Sequence, residues 1–160
     1  MEKQKKSITF SLNEIRISMK RFRDSDYWVT EDGKVFRYWP EWKKQWVLPQ
    51  WNNPNKTYVK TRIIPERYTP MKTQYNRGND RPYVHLSLET NNHQSFLIYR
   101  LVAELYVPGY FEGAEVDHID CNIHNNHSSN LQWCTPEYNR QKGNNPDYPL
   151  FTSSAKSDSK

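Results

Sequence analysis

The chain has 160 residues, a net charge of +5, two cysteines and a mean hydropathy of −1.05. That length suits one compact domain or a small domain with an arm, and 14% aromatic content argues against a disordered chain. No apolar run approaches a membrane span, the start Met1-Glu2-Lys3-Gln4-Lys5-Lys6 lacks a signal-peptide core, and two cysteines make no disulfide framework. The expectation is a soluble intracellular protein with reduced thiols.

The charge is uneven. Residues 1–80 hold 17 Lys and Arg against nine Asp and Glu, while residues 81–160 hold six against nine. A basic front half points to a polyanionic partner, and nucleic acid is the commonest one. Residues 1–24 form a basic arm, either a frayed helix or extended chain, that includes Lys20, Arg21 and Arg23. Tyr27–Thr30 and Val35–Trp39, around the Asp32-Gly33 turn, predict a β-hairpin that Pro40 ends.

Residues 41–80 interleave Trp42, Trp46, Trp51 and Tyr58 with Lys43, Lys44, Lys56, Lys60 and Arg62. This mixture suits phosphate contacts and base stacking, and equally aromatic core residues flanked by solvated lysines. Pro49, Pro54, Pro65 and Pro70 are expected to interrupt any long element here. Pro82–Leu88 alternates with period two and predicts a strand, Asn91-Asn92 a turn, and Ser95–Ile98 the returning strand. Tyr99–Val107 then reads as a short helix stopped by Pro108-Gly109. His85 and His93 are read as ordinary strand and turn residues.

The chemistry concentrates between Glu115 and Lys142. Val116 leads a short strand into Asp117-His118, a polar Asn-rich loop follows, and Asn130–Cys134 is apolar enough to return as a strand. Thr135-Pro136-Glu137 has the composition of a helix start, with a hydroxyl cap, proline at the first position and an acid at the positive end. Asn139, a turn into that helix, is then able to meet Asp117. A carboxylate and an amide oxygen suit Mg²⁺ or Mn²⁺. The His118 imidazole suits abstraction of a proton from water.

Asp117-His118-Ile119-Asp120, Asn125-Asn126, Ser129–Trp133 and Asn139, together and in order, resemble the HNH motif of phage and intron-encoded homing endonucleases. Leu97–Ala103 resembles the strand-to-helix stretch before that motif, with Tyr99 where the group often has histidine. The hairpin at Asp32-Gly33 is similar to a small N-terminal module these nucleases often carry.

The resemblance implies an α+β fold: a ββα-metal (His-Me finger) nuclease motif preceded by a small β-rich module. The β-rich DNA-contacting module spans 25–107 and ends in a short helix, and the nuclease motif follows over 108–143. Composition adds the basic arm over 1–24 and, from its Asn, Ser, Pro and Lys, a disordered tail over 144–160. The resemblance also implies Asp117 and Asn139 as metal ligands, His118 as general base and Asn130 as a loop brace. The implied activity is metal-dependent cleavage of double-stranded DNA to 5′-phosphate and 3′-hydroxyl ends. Expected DNA contacts are Arg21, Arg23, Lys43, Lys44, Lys60, Arg62, Arg100 and Arg140. Two departures stand out. Cys121 occupies a position where the group commonly has a small residue, often glycine, and many members have no cysteine at the Cys134 position. With His124 and His127 they give a C-x2-H-x2-H-x6-C spacing, a candidate structural zinc set. On that basis the alternative function is a zinc-stapled DNA-binding module without cleavage.

Overall fold

The computed structural model describes residues 18–152, apart from 51, 76, 90, 91 and 144. Within it the front of the chain is β-structure. Strands β1 (Met19–Arg21), β2 (Tyr27–Thr30), β3 (Val35–Trp39) and β6 (Arg67–Pro70) form one antiparallel sheet in the order β1-β2-β3-β6. The expected hairpin is β2–β3, with Tyr27 opposite Arg37 and Val29 opposite Val35. Strands β7 (Gln74–Tyr75), β8 (Pro82–Glu89) and β9 (Asn92–Leu97) form a second sheet. His85 and His93 sit on it, facing the Ser95 and Ser87 hydroxyls. Of the proposed basic arm, residues 18–24 are described, and Met19–Arg21 is a sheet strand; the rest lies outside the described residues.

Between these sheets the chain corrects the expectation drawn from its prolines. Residues Trp42–Gln50 (β4) and Asn53–Ile64 (β5) form a long antiparallel ribbon, and neither strand bonds to another sheet. Pro49 and Pro54 lie within the two strands, close to the turn. The register shifts between Pro49 and Gln50 and gives Pro54 no ladder partner, so both prolines stand where the ladder is already irregular. Pro65 falls just after the ribbon, and Pro70 ends β6.

Helix α1 (Ile98–Tyr106) follows β9 directly. Nine residues are too few for a stable isolated helix, and no side chain caps its start. Packing holds it: Ile98, Tyr99, Leu101, Val102 and Ala103 are all buried. They join Phe22, Tyr27, Val29, Val35, Val84, Leu86, Val116 and Leu131 in one apolar cluster, which therefore runs across the 107/108 boundary.

The last third is a compact ββα unit. Strand β10 (Glu115–His118) pairs with β11 (Leu131–Cys134), and helix α2 (Pro136–Lys142) closes the unit. Thr135 caps α2 by accepting a hydrogen bond from the Tyr138 amide at 3.2 Å, Pro136 opens it, and Glu137 lies in its first turn. The turn of the first hairpin clamps the connecting loop. Glu31 takes hydrogen bonds from the Ser128 hydroxyl at 2.6 Å and, through its carbonyl, from the Ser128 amide at 3.0 Å. Gly33 sits below at φ +85, where an added Cβ would stand 2.7 Å from Ile98 and 3.3 Å from Asn126.

The expected disorder from residue 144 is also revised for the described part. Phe151 stacks on Phe111 at 6.2 Å and packs edge-on against Tyr138 at 5.2 Å. The Tyr138 hydroxyl donates to the Pro149 carbonyl. The aromatic residues of a polar segment thus fold back onto α2. Residues 153–160 lie outside the described region.

Candidate functional site

A polar cavity of about 280 Å³ opens where β10, α1 and α2 converge. Asp117, His118 and Asn139 all line it. Period two in β10 puts Asp117 on the same face as Glu115, while α2 presents Asn139 from across the hairpin.

His118 is 5% exposed. Its Nε2 donates to Asn126 Oδ1 at 3.1 Å. The Asn126 amide nitrogen donates to the His124 carbonyl, which fixes the orientation of the amide and makes its oxygen the acceptor. The His118 proton is thereby held on Nε2, leaving Nδ1 as a lone-pair base with no hydrogen-bond partner among the described residues. The imidazole pKa lies below its usual value. Burial is the main cause, the Asn126 bond opposes it, the Arg81 charge lowers it further, and Asp117 and Asp120 pull it up. His118 also packs edge-on against Tyr99 at 5.2 Å.

The Asp117 carboxylate is anchored through one oxygen. Its Oδ2 accepts from Lys142 Nζ at 2.7 Å and from Gln132 Nε2 at 2.8 Å, and Oδ1 has no partner among the described residues. Asn139 Nδ2 donates to Glu115 Oε2 at 2.7 Å, which leaves the Asn139 amide oxygen as an unengaged acceptor. Two hard oxygens therefore share one cavity, a donor set that fits a small divalent cation.

Asn130 occupies the middle of the loop. Its Nδ2 donates to Asp120 Oδ1 and to the Asn125 carbonyl, both at 2.8 Å, and its Oδ1 accepts from the Asp120 amide at 3.1 Å. Such side-chain-to-backbone bonds hold an irregular loop in one shape.

The four candidate zinc residues do not come together. Cys121 Sγ faces the Gly143 carbonyl, His124 lies 3.3 Å from Asp80, and His127 bonds to Ser129. Cys134 is buried in β11, where desolvation and then the nearby Asp117 and Glu115 push its thiol up to about 12. Among the described residues no three His, Cys, Asp or Glu side chains gather as a metal set. The spacing was matched by chance, and the loop folds through its asparagines instead.

The expected DNA contacts divide by what they touch. Arg23 is paired with Glu104 at 3.0 Å, Arg21 bonds to the Ser25 and Asp24 carbonyls, and Lys20 bonds to the Leu105 carbonyl. On the ribbon, the register places Lys44, Lys60 and Arg62 on one face with Trp42, Trp46 and Tyr58, whereas Lys43 projects from the other with Val47 and Ile63. Arg100 lines the cavity, and Arg140 is exposed on α2. Sequence reasoning passed over Lys142, Gln132, Glu115 and Arg81. Glu115 was signalled by its period-two spacing from Asp117, and Lys142 by standing one helical turn after Asn139.

Residues 97–141 match the family profile described as HNH endonuclease, so the chain carries an HNH endonuclease segment. An uncharacterized HNH endonuclease of Acanthamoeba polyphaga mimivirus is 32% identical over 117 residues, covering 72% of this chain and 26% of that protein. The DNA endonuclease I-HmuI of Bacillus phage SP01 is 48% identical over 46 residues, covering 29% of this chain and 26% of the relative. The chain thus spans about a quarter of either relative's length. A solved structure, described as DNA binding and cleavage by the HNH homing endonuclease I-HmuI, superposes with a TM-score of 0.54 at 24% identity. It covers 86% of this chain and 63% of the other, a likeness of fold. The α+β architecture with a ββα motif behind a β-rich front is that fold.

Proposed function

With residues 97–141 identified as an HNH endonuclease segment, we propose that the protein is a metal-dependent DNA endonuclease. The observation that carries this reading is a single cavity shared by a base-ready His118 and the unengaged oxygens of Asp117 and Asn139. Asp117 and Asn139 would hold Mg²⁺ or Mn²⁺, which when bound neutralises charge on the phosphate and on the departing 3′ oxygen. His118 Nδ1 takes a proton from the attacking water. The water oxygen bonds to phosphorus, the bond to the 3′ oxygen breaks, that oxygen takes up a proton from solvent, and the ends are a 5′-phosphate and a 3′-hydroxyl. Asn126 holds the imidazole for this task, and Asn130 keeps the loop that carries Asn126 and Asp120 in shape.

The partner is double-stranded DNA, held in part by the ribbon face bearing Lys44, Lys60 and Arg62. One active site per chain nicks one strand; a double-strand break needs two such events. A homing role suits the named relatives. The zinc-stapled binding module finds no support, because its four residues point apart.

The test is conversion of supercoiled plasmid with Mg²⁺ or Mn²⁺. Nicking that His118→Ala, Asp117→Ala and Asn139→Ala each abolish is the expected result. Cleavage by His118→Ala at the unmodified rate, or no cleavage beside tight metal-independent binding, would overturn it.

A further inference from the structure

We infer that Arg81 and Arg100, both resting on Tyr99, form an anion clamp that grips the non-bridging oxygens of the phosphodiester presented to His118. This rests on the nuclease reading and names two residues as contacts of the reacting group.

The two arginines reach the cavity from different elements. Arg81 immediately precedes β8, its amide accepted by the Asn79 side chain, and Arg100 lies in the first turn of α1. Both line the cavity that holds Asp117, His118 and Asn139. Their guanidinium carbons stand over the Tyr99 ring at 5.3 and 5.9 Å, and Tyr99 packs in turn against His118. Tyr99 is itself buried. Its aromatic face attracts cations and restrains them without using up their N–H donors.

Neither guanidinium makes an ion pair or hydrogen bond among the described residues. The carboxylates beside them are already engaged, Glu115 by Asn139 and Asp117 by Lys142 and Gln132. Elsewhere in the fold a cation near a free acid pairs with it, as Arg23 does with Glu104. Two forks of unused donors in one polar cavity match the non-bridging oxygens of a pentacoordinate, dianionic transition state, which the planar guanidinium recognises with paired hydrogen bonds. Donors aimed at developing charge act on rate more than on ground-state binding.

The test has two arms, run on the whole chain with thermal melts to confirm folding. The first compares nicking at saturating plasmid for wild type, Arg81→Ala, Arg81→Lys, Arg100→Ala and His118→Ala. Each alanine variant at an arginine should nick about 100-fold more slowly with DNA affinity within about threefold, and Arg81→Lys should recover part of the rate. The second follows the His118 ring resonances as inorganic phosphate is added to metal-free protein. Arg81→Ala and Arg100→Ala should weaken that binding about tenfold or more. Full nicking by both arginine variants, beside an inactive His118→Ala, overturns the clamp and leaves the nuclease intact. If wild type does not nick, the nuclease reading fails and phosphate decides: arginine-dependent binding sustains the anion site, and equal binding by the variants overturns it.

Discussion

Lys142 Nζ lies 2.7 Å from Asp117 Oδ2, with the two side chains only 1% and 7% exposed. The same ammonium donates to the His118 carbonyl at 2.5 Å and the Ile119 carbonyl at 3.0 Å. One buried cation therefore ties the last turn of α2 to the strand end carrying both candidate catalytic residues. Three oxygens satisfy its three donors, so its charge is compensated where it is buried.

Removing that cation should be costly. Lys142→Met leaves the buried Asp117 carboxylate with only its Gln132 bond and no compensating charge, and should destabilise the metal-free protein by about 3 kcal/mol. Adding Asp117→Leu should return part of the loss. Urea melts in chelator, arranged as a double-mutant cycle, measure both.

Asn126 touches no reacting atom and acts through His118. Asn126→Ala should lower the nicking rate at saturating DNA about 10- to 100-fold, because the imidazole loses its fixed tautomer and orientation. DNA affinity should hold within about threefold. A rise in KM with unchanged kcat would contradict a positioning role.

The two faces of the ribbon should behave differently. Replacing Lys44, Lys60 and Arg62 by alanine removes three cations from one face, and should reduce the slope of log affinity against log salt by about 3. Lys43→Ala, on the opposite face, should leave the slope unchanged. Filter binding from low to moderate salt separates these outcomes.

Cys121 has φ +61, in the left-handed region that favours glycine. Cys121→Gly should raise stability by about 0.5–1 kcal/mol, the relief of backbone strain exceeding the added freedom of the unfolded chain. A thermal melt reads the sign directly.

Asp120 supplies a pH signature. Burial pushes its pKa up, but bonds from Asn125, the Asn122 amide and Asn130 outweigh this, and the folded pKa is depressed. Its stabilisation is fully present above the unfolded value of about 3.9 and is lost as pH falls through the folded pKa. Asp120→Ala should therefore lower the melting temperature at pH 6, and the difference from wild type should vanish in strong acid.

Much of this was legible in the chain itself. The Asp32-Gly33 hairpin, the period-two run at Pro82–Leu88, the α1 segment and the Thr135-Pro136 helix start are all local signals, and local backbone chemistry produced the corresponding elements. Asp117, His118 and Asn139 were readable because their order and spacing put one cavity between a hairpin and the helix after it. The ribbon was not legible. Its prolines look like breakers until the pairing register is known to be irregular beside them. Nor was the dispersal of Cys121, His124, His127 and Cys134, since equal spacings fit a closed or an open loop.

What the sequence determined by itself was the elements and the identity of the chemical groups, because these depend on neighbours a few residues apart. Only the tertiary structure decided which groups are engaged and which are left for a ligand. Lys142 meets Asp117, Asn126 meets His118, and Arg81 joins Arg100 on Tyr99 across 19 to 25 or as few as eight positions. Except for the contact within the loop, those distances close only when the shared apolar cluster draws β8, α1 and the ββα unit together. At Lys142, Asp117, His118 and Asn126, burial then turns each polar contact into an energetic commitment, because an unpaired group there cannot turn to water.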